Sequence, residues 1–302
     1  SRCTMNIALS GSGIAPRYCE NIAYLLQELL SAGVGLSYYK GIFPFLQEVA
    51  AASSFSLPEG AVFSSYEDIP RETDIFLALG GDGTFLHSLT LVRDNDIKVA
   101  GINFGRLGFL TTAKASGEGD EWISALMEGR YDVIERSTLE IRTDSLPADF
   151  YPFALNEISI QRRTPYMIGV DLQIDGIGIP TYWADGLLIA TPTGSTAYSL
   201  SVGGPIVTPQ AGVFVISPIA PHNLNVRPLI VPDNADIRMR ILSRADEVML
   251  TVDNRELIIP STAEICLNKG DFSMKTVSLK KENFFQALQE KLLWGADKRN
   301  NL

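Results

Sequence analysis

The chain has 302 residues, 46% of them hydrophobic and 20% charged, enough for a substantial core and most naturally for two domains. Its 25 Lys and Arg stand against 35 Asp and Glu, and the resulting net charge of −10 opposes non-specific attraction to nucleic acid or to an anionic membrane. Three scattered cysteines (Cys3, Cys19, Cys266) do not make a disulfide framework, and two histidines (His87, His222) leave no His-rich metal site. The apolar runs are too short for a bilayer span, and residues 1–9 lack the cationic start of a signal peptide, so a reducing cytoplasm is the expected compartment.

In chain order, Met5 to Leu9 reads as a strand, Tyr18 to Leu30 as an amphipathic helix, Val34 to Tyr39 as a strand and Ile42 to Ala50 as a helix. Ile75 to Leu79 is a short apolar run of the buried-strand type, followed by a glycine turn and a helix from about Thr84. Ile97 to Asn103 forms a further strand before the turn Gly105-Arg106-Leu107-Gly108. This alternation predicts an α/β domain with a mostly parallel sheet over residues 1–119. A helix from Asp120 to Met127 follows, and then the pattern turns to strands: Tyr131 to Thr143, Phe153 to Gln161, Met167 to Ile174, Leu187 to Ala190, Val213 to Ser217, Asp236 to Leu242, Val248 to Val252, Ser261 to Asn268 and Phe272 to Leu279. A β-rich domain is therefore expected over 120–270. A closing segment, 271–302, carries an amphipathic helix from Asn283 to Leu293 that would return to the first domain.

Three clusters carry chemistry. Gly80-Gly81-Asp82-Gly83-Thr84 places one carboxylate in a run of glycines directly after a strand, where exposed N–H groups and a helix start favour an anion. The turn lacks the Gly-Lys-Ser/Thr ending of the common nucleotide loop and the Gly-x-Gly-x-x-Gly dinucleotide fingerprint, so it indicates a phosphate cradle without naming the phosphate; a tight strand-to-helix connection is the competing reading. Asn156-Glu157 sets an amide beside a carboxylate in a strand-like run, suited to nucleotide hydroxyls and base edges or simply to a strand end. Asp185-Gly186, then Thr191-Pro192-Thr193-Gly194-Ser195-Thr196-Ala197-Tyr198 and Gly203-Gly204-Pro205, concentrate small hydroxyl residues that either present donors to a ligand or cap the segment from Thr196 to Leu200.

The ordered set resembles the NAD kinase family over nearly the whole chain. The matching motifs are Gly80 to Thr84, Gly101-Ile102-Asn103-Phe104-Gly105-Arg106-Leu107-Gly108-Phe109-Leu110, Asn156-Glu157, Asp185-Gly186-Leu187 with Thr191 to Tyr198, Ser201-Val202-Gly203-Gly204-Pro205, and Pro221-His222-Asn223-Leu224-Asn225-Val226-Arg227-Pro228-Leu229. The resemblance implies transfer of a phosphoryl group from ATP, or in some members polyphosphate, to the adenosine ribose 2′-hydroxyl of NAD, with Mg²⁺ or another divalent ion. It makes Asp82 the proton acceptor and Gly80, Gly81, Gly83 and Thr84 the phosphate-handling turn, with His87 at a nucleotide contact. Asn156 and Glu157 go to the nucleotide and Asp185 to the substrate pocket. Thr196, Ala197, Tyr198, Ser199, Leu200 and Ser201 go to adenine, ribose or nicotinamide contacts, and Ala220 lines the same pocket. It further implies a homodimer or homotetramer with shared sites.

The chain departs from the family pattern at three places. Asp253-Asn254-Arg255 stands where an Asp-Gly-Gln turn is usual, so Arg255 is expected either to tune the pocket toward a phosphate-bearing ligand such as NADP or to face solvent beside Asp253 or Glu256. Tyr166, in Pro165-Tyr166-Met167, falls at a usual basic or histidine contact, and Trp183 where some relatives carry lysine. ATP is the expected donor, because the anionic chain offers no broad basic surface for polyphosphate. Diacylglycerol and sphingosine kinases share a related Gly-Gly-Asp-Gly-Thr turn, and a silent NAD(P)-binding regulator would use the same pocket without turnover.

Overall fold

The structure is a computed structural model and describes residues 4–105, 108–115, 121–279 and 284–293. Cys3, Arg106, Leu107 and the expected helix starts at Asp120 and Asn283 lie outside the described residues. The chain divides into two compact units, residues 1–134 with 275–302, and residues 135–274.

The first unit alternates strand and helix: β1 (Asn6–Gly11), α1 (Cys19–Ser31), β2 (Gly35–Tyr39), α2 (Phe43–Ala52), β3 (Val62–Phe63), β4 (Ile75–Leu79), α3 (Asp82–Val92), β5 (Lys98–Asn103), β6 (Thr111–Lys114) and α4 (Trp122–Met127). Its strands run in the order β3-β2-β1-β4-β5-β6, every pairing parallel. Every residue of β4 is buried, which is why that strand reads as an unbroken apolar run rather than an alternating one. In α1, Ile22, Leu25, Leu26 and Leu29 recur at helical spacing and are buried in one core with Ile7, Leu9, Leu77 and Ile102. The strand order reverses between β1 and β4, and ligands of such sheets bind beyond the carboxyl ends at that point. Both loops leaving these strands meet there, with Ser12 Oγ 3.1 Å from Thr84 Oγ1.

The second unit is built of β7 (Asp132–Arg142, its first residues in the first unit), β8 (Phe153–Ala154), β9 (Glu157–Arg162), β10 (Ile168–Ile174), β11 (Ile177–Ala184), β12 (Gly186–Ala190), a 3-10 turn (Thr193–Thr196), α5 (Tyr198–Ser201), β13 (Val213–Ile219), β14 (Leu229–Pro232), β15 (Ile237–Leu242), β16 (Glu247–Val252), β17 (Arg255–Pro260) and β18 (Glu264–Ser278). Two antiparallel layers form, one through β11-β10-β15-β18 and the other in the order β14-β13-β12-β9-β16-β17. Along β15, Ile237, Met239 and Ile241 are buried while Arg238 and Arg240 are exposed, a period of two that buries one face of its sheet. Those three pack with Val170, Leu172, Ile160, Leu187 and Ile189 in a single core. The chain re-enters the first unit at residue 275, and α6 (Phe284–Leu292) buries Leu288 there and sets Phe284 6.2 Å from Phe109.

Besides the strands β3, β6, β14 and β17, for which there was no expectation from the sequence, four elements differ from the sequence reading. The helix expected from about Thr84 begins at Asp82, within the glycine turn. The run Phe153 to Gln161, read as one strand, is two: β8 pairs with β7, and β9 with β12 and β16. The break falls where the Asp253 carboxylate takes the N–H groups of Leu155 and Asn156 that a continuous ladder would use. The two final strands are one, β18, because Gly270 lets it pass where a Cβ would stand 2.0 Å from Thr138 Oγ1. Strand β11 is absent from the expectation because Pro180 and Gly178 interrupt its run, which an edge strand tolerates.

Candidate functional site

In the first unit the site is built on the exit of β4. Gly80 has φ +145° and donates its N–H to the Ile102 carbonyl at 2.9 Å; an added Cβ would lie 2.6 Å from Thr84 Oγ1, so only glycine turns the chain this tightly. No side chain caps α3, and nothing lies within 4 Å of where a Cβ on Gly81 or Gly83 would be. The first N–H groups of α3 therefore open onto exposed glycines, a setting that suits an anion.

The half-buried Asp82 carboxylate is gripped by a second loop. Oδ2 accepts from Phe109 N–H at 2.9 Å, and Oδ1 accepts from Leu110 N–H, Thr111 N–H and Thr111 Oγ1–H, each at 3.2 Å. Gly108 is required beside it, since a Cβ there would stand 1.8 Å from Asp82 Oδ1. Three donors crowd Oδ1 and one meets Oδ2, which leaves Oδ2 able to accept a hydroxyl proton's hydrogen bond. His87, on the exposed side of α3, has its ring 5.4 Å from that of Tyr39.

In the second unit, Glu157 begins β9 and Asn156 precedes it; they are only 9% and 8% exposed. The Asn156 carbonyl accepts from Thr191 N–H at 2.9 Å, and Gly194 packs so close that a Cβ would reach to 2.0 Å from that oxygen. Asp253, at the β16–β17 turn, holds the segment from the other side: its carboxylate accepts from Leu155, Asn156 and Glu157 N–H at 2.8, 2.7 and 3.2 Å. Burial, and then the charge of Asp253, push the Glu157 carboxyl up to about 8 against a hydrogen bond from Tyr198 N–H that lowers it. Burial raises Asp253 as well, against its three main-chain donors and the nearby Arg255, which favour the charged form. Glu157 Oε2 and Ser199 Oγ are buried with no hydrogen-bond partner.

A second cluster stands at the opposite end of β12. Asp185 and Arg162 form a two-pronged ion pair at 2.7 and 3.2 Å, and Asp185 N–H donates to Ile219, next to Ala220. Ala220 is exposed with φ +47°, a left-handed conformation that costs an alanine energy and marks a shaped turn. Since Glu157 pairs with Ala190 and Gln161 with Gly186, the five-residue step from Glu157 to Arg162 sets the clusters about 17 Å apart by strand rise. Tyr198 is the link, its phenol raised by burial and then by the charges of Glu157 and Asp185. Thr196 and Ala197 end the 3-10 turn before Tyr198, Leu200 is half-buried, and Ser201 is exposed at the end of α5.

Two further residues of the expected contact set have protein partners. Tyr166 is 61% exposed with Arg244 over its ring at 5.7 Å. Arg255 donates from Nη1 to the Tyr151 carbonyl at 2.5 Å and from Nη2 to the Phe153 carbonyl at 2.6 Å, and lies over the Phe150 ring. Sequence reasoning missed the anchoring roles of Asp253, Arg162 and the 108–111 loop; an acid opening a two-residue turn was the available signal for Asp253. Among the described residues no three His, Cys, Asp or Glu side chains converge on a metal site.

The ATP-NAD kinase N-terminal domain family matches residues 64–131, and the ATP-NAD kinase C-terminal domain family matches residues 155–279. An NAD kinase of Christiangramia forsetii is 43% identical over 241 residues, 79% of this chain and 82% of that protein. One of Porphyromonas gingivalis is 37% identical over 291 residues, 96% of this chain and 98% of that protein. Among solved structures, yeast NADH kinase complexed with NADH superposes with a TM-score of 0.81 at 25% identity, over 99% of this chain and 90% of that one. An NAD kinase from Archaeoglobus fulgidus in complex with ATP gives a TM-score of 0.71 at 25% identity, over 96% of this chain and 99% of that one.

Proposed function

This chain belongs to the NAD kinase family, and from that premise we propose that its Asp82 accepts the proton of the NAD ribose 2′-hydroxyl as ATP delivers a phosphoryl group to it. The enzyme is a phosphotransferase that forms NADP from NAD and ATP. The observation that carries the role of Asp82 is its grip by residues 109–111, which sets one carboxylate edge at the mouth of the glycine turn with acceptor capacity to spare. In-line transfer needs the alcohol oriented more than it needs early proton removal, and a pre-positioned carboxylate does both.

The open N–H groups at Gly81 and Gly83 are assigned to the phosphates, with Thr84 and Gly80 shaping the turn. A magnesium ion fits as a passenger on the ATP phosphates, because the acceptor loop offers one carboxylate and Mg²⁺ keeps most of its waters; bound there it would neutralise charge on the transferring group. Asn156, Glu157 and Tyr198 are assigned to one half of the dinucleotide, and Asp185 and Ala220 to the other, either cluster being completed by another copy in a homodimer or homotetramer. Arg255 braces the loop at 151–153 rather than reaching the ligand. A cytoplasmic setting fits an enzyme of these substrates; no helix among the described residues is long and apolar enough to cross a membrane.

Purified protein given NAD, ATP and Mg²⁺ should form NADP, read by an NADP-specific dehydrogenase, and chelation should stop it. Parallel arms with NADH, after the yeast relative, and with polyphosphate fix the acceptor and the donor. Turnover by polyphosphate with little from ATP would overturn the donor assignment.

A further inference from the structure

The buried acid at the turn between β16 and β17 has no part in the transfer chemistry described above, yet four features converge on it. Asp253 is 7% exposed and holds φ +54°, a left-handed geometry that an L-residue adopts at a cost. Its carboxylate takes three successive main-chain N–H groups from residues 155–157, and its own N–H returns to the Glu157 carbonyl at 2.9 Å. Those bonds end β8 and aim β9, so the side chains of Asn156 and Glu157 leave the backbone at the point where Asp253 fixes it. Arg255, two residues on, ties the same turn to the carbonyls of Tyr151 and Phe153.

We propose that Asp253 is a positioning residue for the transfer reaction, which fixes through the main chain of 155–157 where the Asn156 amide and the Glu157 carboxyl meet the nucleotide. The inference rests on the assignment of Glu157 to NAD. Its charge adds a second effect: Asp253, Tyr198 and, behind Tyr198, Asp185 are the titratable groups facing Glu157, and Asp253 is the one whose charge adds to burial in raising the Glu157 carboxyl. Substrate binding at Glu157 is therefore expected to break near pH 8, where that proton leaves.

The test is the pH profile of KM for NAD in the original protein, Asp253→Asn and Glu157→Gln. In Asp253→Asn, KM for NAD should rise about tenfold to a hundredfold, as for the loss of one or two charge-assisted hydrogen bonds, while KM for ATP moves by less than about twofold. The break should move part of the way to lower pH, since burial still raises Glu157 but the charge that added to it is gone, and it should vanish in Glu157→Gln. Asp253→Asn added to Glu157→Gln should cost less than it does alone, because both act through one group. A break that stays near 8 in Asp253→Asn while vanishing in Glu157→Gln, or a parallel rise in KM for ATP, overturns the role of Asp253 alone. A break that persists in Glu157→Gln overturns the assignment of Glu157, and this inference with it. Should Asp253→Asn fail to fold, amide exchange in the unaltered protein decides: slow exchange at 155–157 without NAD supports a preformed clamp, and exchange that slows only when NAD is added refutes it.

Discussion

Asp82 in the first unit and Asp253 in the second are held by the same device, a carboxylate that accepts successive main-chain N–H groups from a remote segment, residues 109–111 in one case and 155–157 in the other. They differ in what the grip leaves over. Asp82 begins an uncapped helix beside open glycines and is half-buried, so a hydroxyl can reach it. Asp253 is sealed in, and its carboxylate holds the main chain of 155–157. A clamped carboxylate is thus not by itself a reactive one; access decides, and the fold grants it at the carboxyl end of a parallel sheet and withholds it under a β-hairpin.

The largest effect is expected from Asp82→Asn, which should lower kcat by about 10²–10⁴-fold through loss of the proton acceptor while the melting temperature falls only a few degrees. Near-normal turnover would make Asp82 a clamp of the same kind as Asp253. Gly108→Ala attacks the grip without touching the acid. With a Cβ 1.8 Å from Oδ1 the carboxylate must shift, and a displacement near 1 Å should cost kcat roughly 10²-fold with KM for NAD little changed. Unaltered turnover in that variant would show that the 108–111 loop does not set the geometry of the reaction.

On the acceptor side, Asn156→Ala should raise KM for NAD by about tenfold, a hydrogen bond's worth, and lower stability less than activity. Equal losses in both would reduce Asn156 to a strand-end residue. Glu157→Gln probes stability against pH. The folded carboxyl titrates at about 8 and its ordinary value is 4.5, so its stabilising contribution is complete below 4.5 and is lost as pH rises through 8. Thermal melting across that range should therefore fall with pH in the original protein and flatten in Glu157→Gln; an identical slope in the two would mean that Glu157 is ionised throughout.

The smallest catalytic effect belongs to Arg255→Gln. Two hydrogen bonds to main-chain carbonyls are lost, for roughly 1–3 kcal/mol of stability, while inhibition by NADP stays the same across a salt series. A salt-sensitive weakening of NADP inhibition would instead put the guanidinium on the ligand's phosphate.

The alternation of the first 100 residues, the buried run Ile75 to Leu79 and the glycine turn after it were all legible, because a parallel sheet's strands are continuous apolar segments and its turns demand glycine locally. The period-two runs of the second unit were legible for the same local reason, and Asp175-Gly176, at φ +51° and +80° between β10 and β11, is a hairpin signal that could have located β11. Ordered motifs then named the family and singled out Asp82. What no local pattern contains is the partner of a buried polar group. Asp253 lies 96 to 98 residues from the N–H groups it holds, and Asp82 27 to 29 from its own. Those pairings exist only once the strands are in register, and desolvation, which protonates Glu157, seals Asp253 and leaves Asp82 within reach, is a property of the packed structure alone.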